Sequence, residues 1–222
     1  MQHAFHEAFF PRRFGPLPPE VSQLVKLKIF GKGSIIVQQG EPAQHFYYVH
    51  SGQVKASILR YDGTEKVVAF AEPGQYFADV PFFQQVNHWY KCEAVEPTQV
   101  SEFSQAMMEM IMRARPDFVL TLMQSMAHKV WMLSNQMMSL TFDPFEVRLA
   151  RILLEILRWR PKGTRSLSIT HQELSSLVGT SRVMVTRVLN EWRERGIVQM
   201  RKGEVCIIDM PALERTAELG AE

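Results

Sequence analysis

The stretch THQELSSLVGTSRVMVTRVLNEWRERGIV, residues 170–198, decides how the second half of this chain folds. Thr170 followed three residues later by Glu173 makes a capping box. In it the threonine oxygen takes the N–H of the third helical residue and the glutamate returns to the N–H of the threonine. Leu174, Leu177 and Val178 supply the inner face of the helix so opened, and the small Ser175 sits where a second helix must cross it. Gly179 stands where the chain turns sharply, since glycine enters the left-handed region without a Cβ penalty. Ser181 caps the next helix, and Val185, Val188, Leu189 and Trp192 recur at helical spacing as its buried stripe. The stretch predicts a helix-turn-helix.

What this packing leaves outside is the chemistry that duplex DNA requires. Arg182, Val183, Thr186 and Arg187 fall on the outward face of the second helix. Arginine reads guanine O6 and N7 bidentately, and valine or threonine touches a thymine methyl, so these four are the candidate base contacts. Thr170, Gln172 and Ser181 stand at helix N-termini, where unsatisfied N–H groups favour a phosphate. The segment GIVQMRKGEVCII (196–208) reads as a hairpin wing with Arg201 and Lys202 at its tip, and Lys202 joins the candidate phosphate contacts.

Charge agrees once it is resolved along the chain. The whole chain has 222 residues, 46% hydrophobic and 22% charged, with 25 Lys+Arg against 23 Asp+Glu. Residues 1–142 carry 12 of each sign, residues 143–203 carry 12 basic against 6 acidic, and the tail 204–222 has one Arg against five acids. The positive excess is confined to about sixty residues around the helix-turn-helix, the footprint of a polyanion-binding module. The apolar content excludes a disordered chain, and two cysteines, Cys92 and Cys206, exclude a disulfide scaffold or a four-cysteine metal frame. No apolar run reaches the roughly 18–20 residues of a membrane span. A cytoplasmic protein without a bound metal is the expectation.

Upstream, residues 31–102 read as short strands (SIIVQQ, HFYYVHSG, QVKASILR, EKVVAFAE, TQVSEF) between recurring glycines, with Asp62-Gly63 as a hairpin turn. A compact all-β sandwich or barrel is predicted there, after a proline-rich entry and a helical turn near residues 20–27. Pro116-Asp117 then opens a long helix to about residue 140. In it Met123, Met126, Val130, Leu133, Met137 and Leu140 alternate in steps of three and four, a coiled-coil seam. Trp131, Met132 and Met138 add apolar positions off that seam, so the helix needs both its own domain and a second partner, and a symmetric homodimer meets that need. Asp143-Pro144 restarts the chain as a further helix carrying Val147, Ala150, Leu153, Leu154 and Leu157.

With these residues in place, the chain from about residue 10 to 213 resembles the Crp/Fnr family of transcription regulators. KGSIIVQQGEPAQHFYYVHSGQVK (32–55) and DGTEKVVAFAEPGQYFADVPFF (62–83) look like its cyclic-nucleotide-type β-roll, and the helix from Pro116 like its dimerisation helix. The resemblance implies an α+β chain in three parts: a β-roll effector-binding domain over 1–115, a dimerisation helix and hinge over 116–142, and a winged helix-turn-helix over 143–222. It implies a non-enzymatic regulator with double-stranded DNA, a second copy of itself, RNA polymerase and a small-molecule effector as partners. The exposed loop 160–166 is the candidate polymerase surface.

Departures from familiar members bear on the effector. Where cyclic-AMP receptors of the family carry Gly-Glu and then Arg-Ser around the phosphate, this chain has Ala78-Asp79 and Trp89-Tyr90, a poor phosphate cradle. The N-terminal cysteine cluster of the oxygen sensors is lacking, and His88, near the place of a haem ligand, reads as a surface loop histidine. Tyr76, Phe77, Phe82, Phe83, Trp89 and Tyr90, followed by Lys91 and Cys92, suit a flat aromatic ligand with a polar edge. Each ring taken singly reads equally well as core filling. NHWYKCEAVEPT (87–98) and HKVWMLSNQMMSLTFDPFEVRL (128–149) are similar to the chlorophenol-sensing branch, which implies that Leu133 and Ser134 complete the pocket. A haem- or redox-responsive regulator, the latter through Cys92, is the alternative. The family's usual glutamate in the recognition helix is replaced by Val183, so the cytosine contact made there is lost.

Overall fold

A computed structural model describes residues 12–219 apart from 159, 162 and 202. The chain divides into two compact units, 8–133 and 134–222, the first seven residues aside. The division falls inside the long helix rather than at either of its ends.

In the first unit a short helix α1 (Pro19–Ser22) precedes strands β1 (Lys26–Phe30), β2 (Ile35–Val37), β3 (His45–Ser51), β4 (Val54–Leu59), β5 (Glu65–Ala71) and β6 (Tyr76–Phe77). Helix α2 (Asp79–Gln84), strands β7 (Lys91–Ala94) and β8 (Thr98–Ser104), and helices α3 (Gln105–Ala114) and α4 (Pro116–Phe142) follow. The strands pair antiparallel in two four-stranded sheets, ordered β1-β8-β3-β6 and β2-β7-β4-β5. The predicted hairpin at Asp62-Gly63 joins β4 to β5: Gly63 has φ 81° and the Thr64 N–H donates to Asp62 Oδ1 at 2.9 Å. Strands β1, β6 and β7 and helix α2 were not legible. Strand β1 is exposed along almost its whole length, and α2 is a single turn and a half, buried at Asp79, Pro81 and Phe82, between two residues with positive φ, Ala78 (61°) and Gln85 (57°).

Period-two alternation along β3 explains the core. Phe46 and Tyr48 point to one face, joining Tyr76, Phe82, Phe103, Met108, Ile111, Phe118 and Leu122. Tyr47 and Val49 point to the other, joining Val37, Val54, Phe77, Cys92 and Val100. Strand β3 and its neighbours β6 and β8 are thus buried on both faces. Gly52 (φ 84°) is required where strands turn closely, because a Cβ there would stand 2.5 Å from the Pro97 carbonyl oxygen.

The second unit contains α5 (Phe145–Arg158), β9 (Ser166–Ser168), α6 (His171–Val178), α7 (Arg182–Glu194), β10 (Val198–Arg201), β11 (Glu204–Ile207) and α8 (Met210–Glu218). Its sheet runs β10-β11-β9, antiparallel throughout. The hairpin wing is β10–β11, and β9 and α8 are additions to the sequence expectation. Asp143 anchors the start of this unit, accepting from Ser139 Oγ at 2.6 Å and pairing with Arg151. Fold and class match the α+β architecture that the sequence implied, a β-sheet domain, a long helix and a helix-turn-helix domain.

Candidate functional site

Local chemistry fixes the helix-turn-helix. The Thr170–Glu173 capping box forms, with the Glu173 N–H donating to Thr170 Oγ1 at 3.1 Å and the Thr170 N–H to Glu173 Oε2 at 2.7 Å. Gly179 ends α6 at φ 76°, and Ser181 caps α7 by accepting from the Met184 N–H at 3.2 Å. Leu174, Val185, Val188, Leu189 and Trp192 are fully buried between the two helices and their surroundings. Arg182, Val183 and Arg187 are exposed on α7, Val183 at 78%, and Thr186 is half-buried beside them. Arg187 is tethered to Glu191 one turn on at 3.6 Å, an exposed pair that a base edge can displace.

Three details refine the expected contacts. The Thr170 hydroxyl also donates to Glu173 Oε2 at 2.8 Å, so its hydrogen serves the cap and not a phosphate. Thr186 donates to the Arg182 carbonyl at 3.0 Å and lies 2.7 Å from Nδ1 of His171, a histidine that the sequence reading did not treat as a site residue. Burial, and secondarily the Arg182 guanidinium, hold that imidazole below its ordinary pKa. Beside them Thr170, His171, Gln172, Arg182, Arg201 and Gly203 line a groove of about 470 Å³ between the start of α6 and the wing. Lys202 lies outside the described residues.

Helix α4 carries two stripes. Phe118, Leu122, Ser125 and Met132 are buried against their own domain, at steps of four, three and seven. The predicted seam is a different stripe: Met123, Val130, Leu133, Met137 and Leu140 are exposed and Met126 is half-buried, with Val130 at 65%. Met132 belongs to the inner stripe, while Trp131 and Met138 remain exposed.

The aromatic pocket needs correction. Tyr76 is buried to 2% exposure among Phe14, Phe46, Tyr48, Phe103 and Phe118, and Phe77 stacks on Tyr47 at 5.0 Å in the other core cluster. Neighbours in a strand face opposite ways, so these two cannot wall one pocket. Lys91 lies on the face opposite Cys92, pairing with Glu65 at 3.3 Å and Glu93 at 3.5 Å. Leu133 and Ser134 are exposed and sit off the inner stripe, since one residue turns a helix by about 100°. Phe83 and Trp89 are partly exposed, Trp89 edge-on to Tyr90 at 5.3 Å. His88 is not a surface residue: it is 5% exposed and its Nδ1 lacks a hydrogen-bond partner among the described residues.

What the fold does bring together is an ion pair. Lys129, on the inner face of α4, donates to both carboxylate oxygens of Asp79 at the start of α2, at 2.5 and 2.6 Å. Their side chains are 12% and 1% exposed. Cys92 is close enough to feel both members of this pair and Tyr90 to feel Asp79, but burial dominates and pushes both the thiol and the phenol far above their ordinary pKa values. A lysine at a core-facing step of α4 was the available signal, because a buried ammonium requires a carboxylate.

Residues 27–115 match the cyclic nucleotide-binding domain family, and residues 147–216 the Crp-like helix-turn-helix domain family. The chain is 28% identical over 211 residues to the cyclic AMP receptor protein of Thermus thermophilus, spanning 93% of this chain and 96% of that protein. Its fold is similar to a solved Crp/Fnr-family transcriptional regulator from the same organism, with TM-score 0.77 at 22% identity over 88% of this chain and 100% of the other. It is similar also to CprK complexed with OCPA, with TM-score 0.67 at 20% identity over 91% and 97% of the two chains.

Proposed function

Since this chain belongs to the Crp/Fnr family of DNA-binding transcription regulators, we propose that it acts as a homodimer on an inverted-repeat operator and responds to a small aromatic effector. The observation that carries the DNA half of this reading is the outward face of α7, where Arg182, Val183 and Arg187 stand exposed on a capped, fully packed helix. The exposed stripe of α4 supports the dimer, because five large apolar side chains on one helix face are costly to leave in water. Selection of sites from random duplex DNA tests both. A dimer recovers an inverted repeat with half-sites about one helical turn apart. A lone half-site overturns the dimer, and no enrichment overturns the DNA reading. With Val183 in place of the family's glutamate, the half-site differs from the usual one at that base pair.

The effector reading moves from the strand aromatics to the entrance of α2. To it we assign the rings of Phe83, Trp89 and Tyr90 as apolar edges and the Asp79–Lys129 pair as the polar group. Trp89-Tyr90 occupies the place of the family's Arg-Ser, which argues against a cyclic nucleotide even though relatives are named cyclic AMP receptors. The buried, protonated Cys92 thiol argues against the redox alternative. Titration of operator binding with halogenated phenols, with cyclic AMP and haem as the competing ligands, decides: a gain in affinity with the phenols alone is expected, and a gain with either competitor alone overturns this effector. Loop 160–166, where Arg160 and Arg165 are exposed, is the surface we assign to RNA polymerase.

A further inference from the structure

Thr186 stands out on the outward face of α7 because its one polar atom lies within hydrogen-bond distance of two partners. Its hydroxyl has a single hydrogen, donated to the Arg182 carbonyl at 3.0 Å. His171 Nδ1 lies 2.7 Å from the same oxygen, so with the threonine hydrogen on the carbonyl it is the imidazole N–H that donates. A helical threonine divides between two side-chain rotamers because its oxygen can bond the preceding turn. Here a second bond, from a different helix, holds one of them. The γ-methyl is then the part of Thr186 left for a ligand, on the helix face that also carries the exposed Arg182, Val183 and Arg187.

We propose that His171 is a specificity-determining residue that acts through Thr186: by holding the hydroxyl it makes Thr186 an apolar reader that selects thymine at one base pair of each half-site. The proposal rests on the DNA reading above. His171 is a positioning residue here; Thr186 makes the contact. Without the imidazole only the bond to the Arg182 carbonyl is left to hold the hydroxyl, which can then also rotate towards the groove, where a donor-acceptor group is tolerated by more than one base edge. Neutrality of His171 agrees with this role, since burial and Arg182 both disfavour a second proton on the ring.

Replacing thymine by deoxyuridine, one position at a time, removes only the 5-methyl group and so tests the contact directly. On the selected operator, the full-length protein should show one position per half-site where this change weakens binding about fourfold, the value of one buried methyl-sized group. Thr186→Val keeps the methyl and should keep that penalty, whereas Thr186→Ser should abolish it. His171→Ala should abolish it too and broaden base preference at that pair. His171→Asn, which places an amide nitrogen near the position of Nδ1, should restore it. A penalty that survives in His171→Ala or in Thr186→Ser overturns the proposal, as does an operator without any Thr186-dependent thymine. Should His171→Ala fail to fold, by its far-ultraviolet circular dichroism, His171→Leu, which keeps the bulk and lacks the donor, takes its place with the same expected loss of the penalty. Failure of the protein to select any duplex overturns the DNA reading itself, which a normal operator with the wrong deoxyuridine profile leaves standing.

Discussion

Charge at the two candidate sites of this molecule, the surroundings of α2 and the outward face of α7, is handled in opposite ways. In the first unit Asp79 and Lys129 are removed from water and answered by each other, and Lys55, Lys91, Glu65 and Glu93 alternate in a half-buried square across three strands. In the second, Arg182 and Arg187 stand in solvent with at most a loose tether. Exposed cations contribute little to the fold and wait for a polyanion. A buried pair gives little net stability when whole but is costly to break, so whatever disturbs it must supply compensation. Recognition can therefore be altered without harm to the fold in one half, and scarcely at all in the other.

The sharpest way to break this contrast is to remove one member of the buried pair. Asp79→Ala leaves an unanswered ammonium under α2 and should destabilise the protein by roughly 3–5 kcal/mol in denaturant unfolding. The double variant Asp79→Leu/Lys129→Met should recover most of that loss. A single-variant cost below about 1 kcal/mol would show that the pair is solvated.

On α4, Val130→Asp places a carboxylate in the exposed stripe. If that stripe is the seam of a dimer, two such charges face each other across the axis, and dissociation should rise about thirtyfold, roughly 2 kcal/mol, in sedimentation experiments. Unfolding of each protomer should change little, because Val130 is outside the buried stripe. On α7, Arg187→Ala should weaken specific binding by roughly 1–3 kcal/mol while the melting temperature stays within experimental error. An unchanged affinity for the selected operator would remove Arg187 from the base contacts.

The same contrast governs what could be read from the amino-acid sequence. The helix-turn-helix was legible because its signals are local. Thr170 and Glu173 are three residues apart, and Gly179 and Ser181 stand at the turn. Steps of three and four put Val185, Val188, Leu189 and Trp192 on one side of α7 and leave Arg187 on the other. Each is settled by helix geometry alone. The β domain was legible as strands and turns but not as a site. Which ring meets which depends on register, and a shift of one residue sends Tyr76 and Phe77 to different clusters. The Asp79–Lys129 pair spans fifty residues and two kinds of element. The same distance problem hid the His171–Thr186 contact, fifteen residues across a turn. The exposed apolar stripe of α4 was legible as well, because heptad spacing is again local.

The smallest expected effect concerns two histidines of the first unit, the buried His88 and the exposed His50. Burial lowers the pKa of His88, outweighing the opposing influence of Glu41, and lowers that of His50. With the folded-state pKa below the unfolded value, the unfolded chain binds more protons as the pH falls, so stability must fall with it. The contribution is fully present above the ordinary imidazole range near about 6.5 and is lost as the pH passes down through the folded-state values. His88 suffers most directly, because a proton on its Nδ1 would create a buried N–H donor without an acceptor among the described residues. Unfolding by denaturant at a series of pH values between about 7.5 and 5.5, a range that leaves most carboxylates ionised, should therefore show declining stability. His88→Gln should flatten the decline and leave the part due to His50. A slope unchanged by that substitution would mean that His88 titrates alike in both states, and that the loop holding it opens to water without cost.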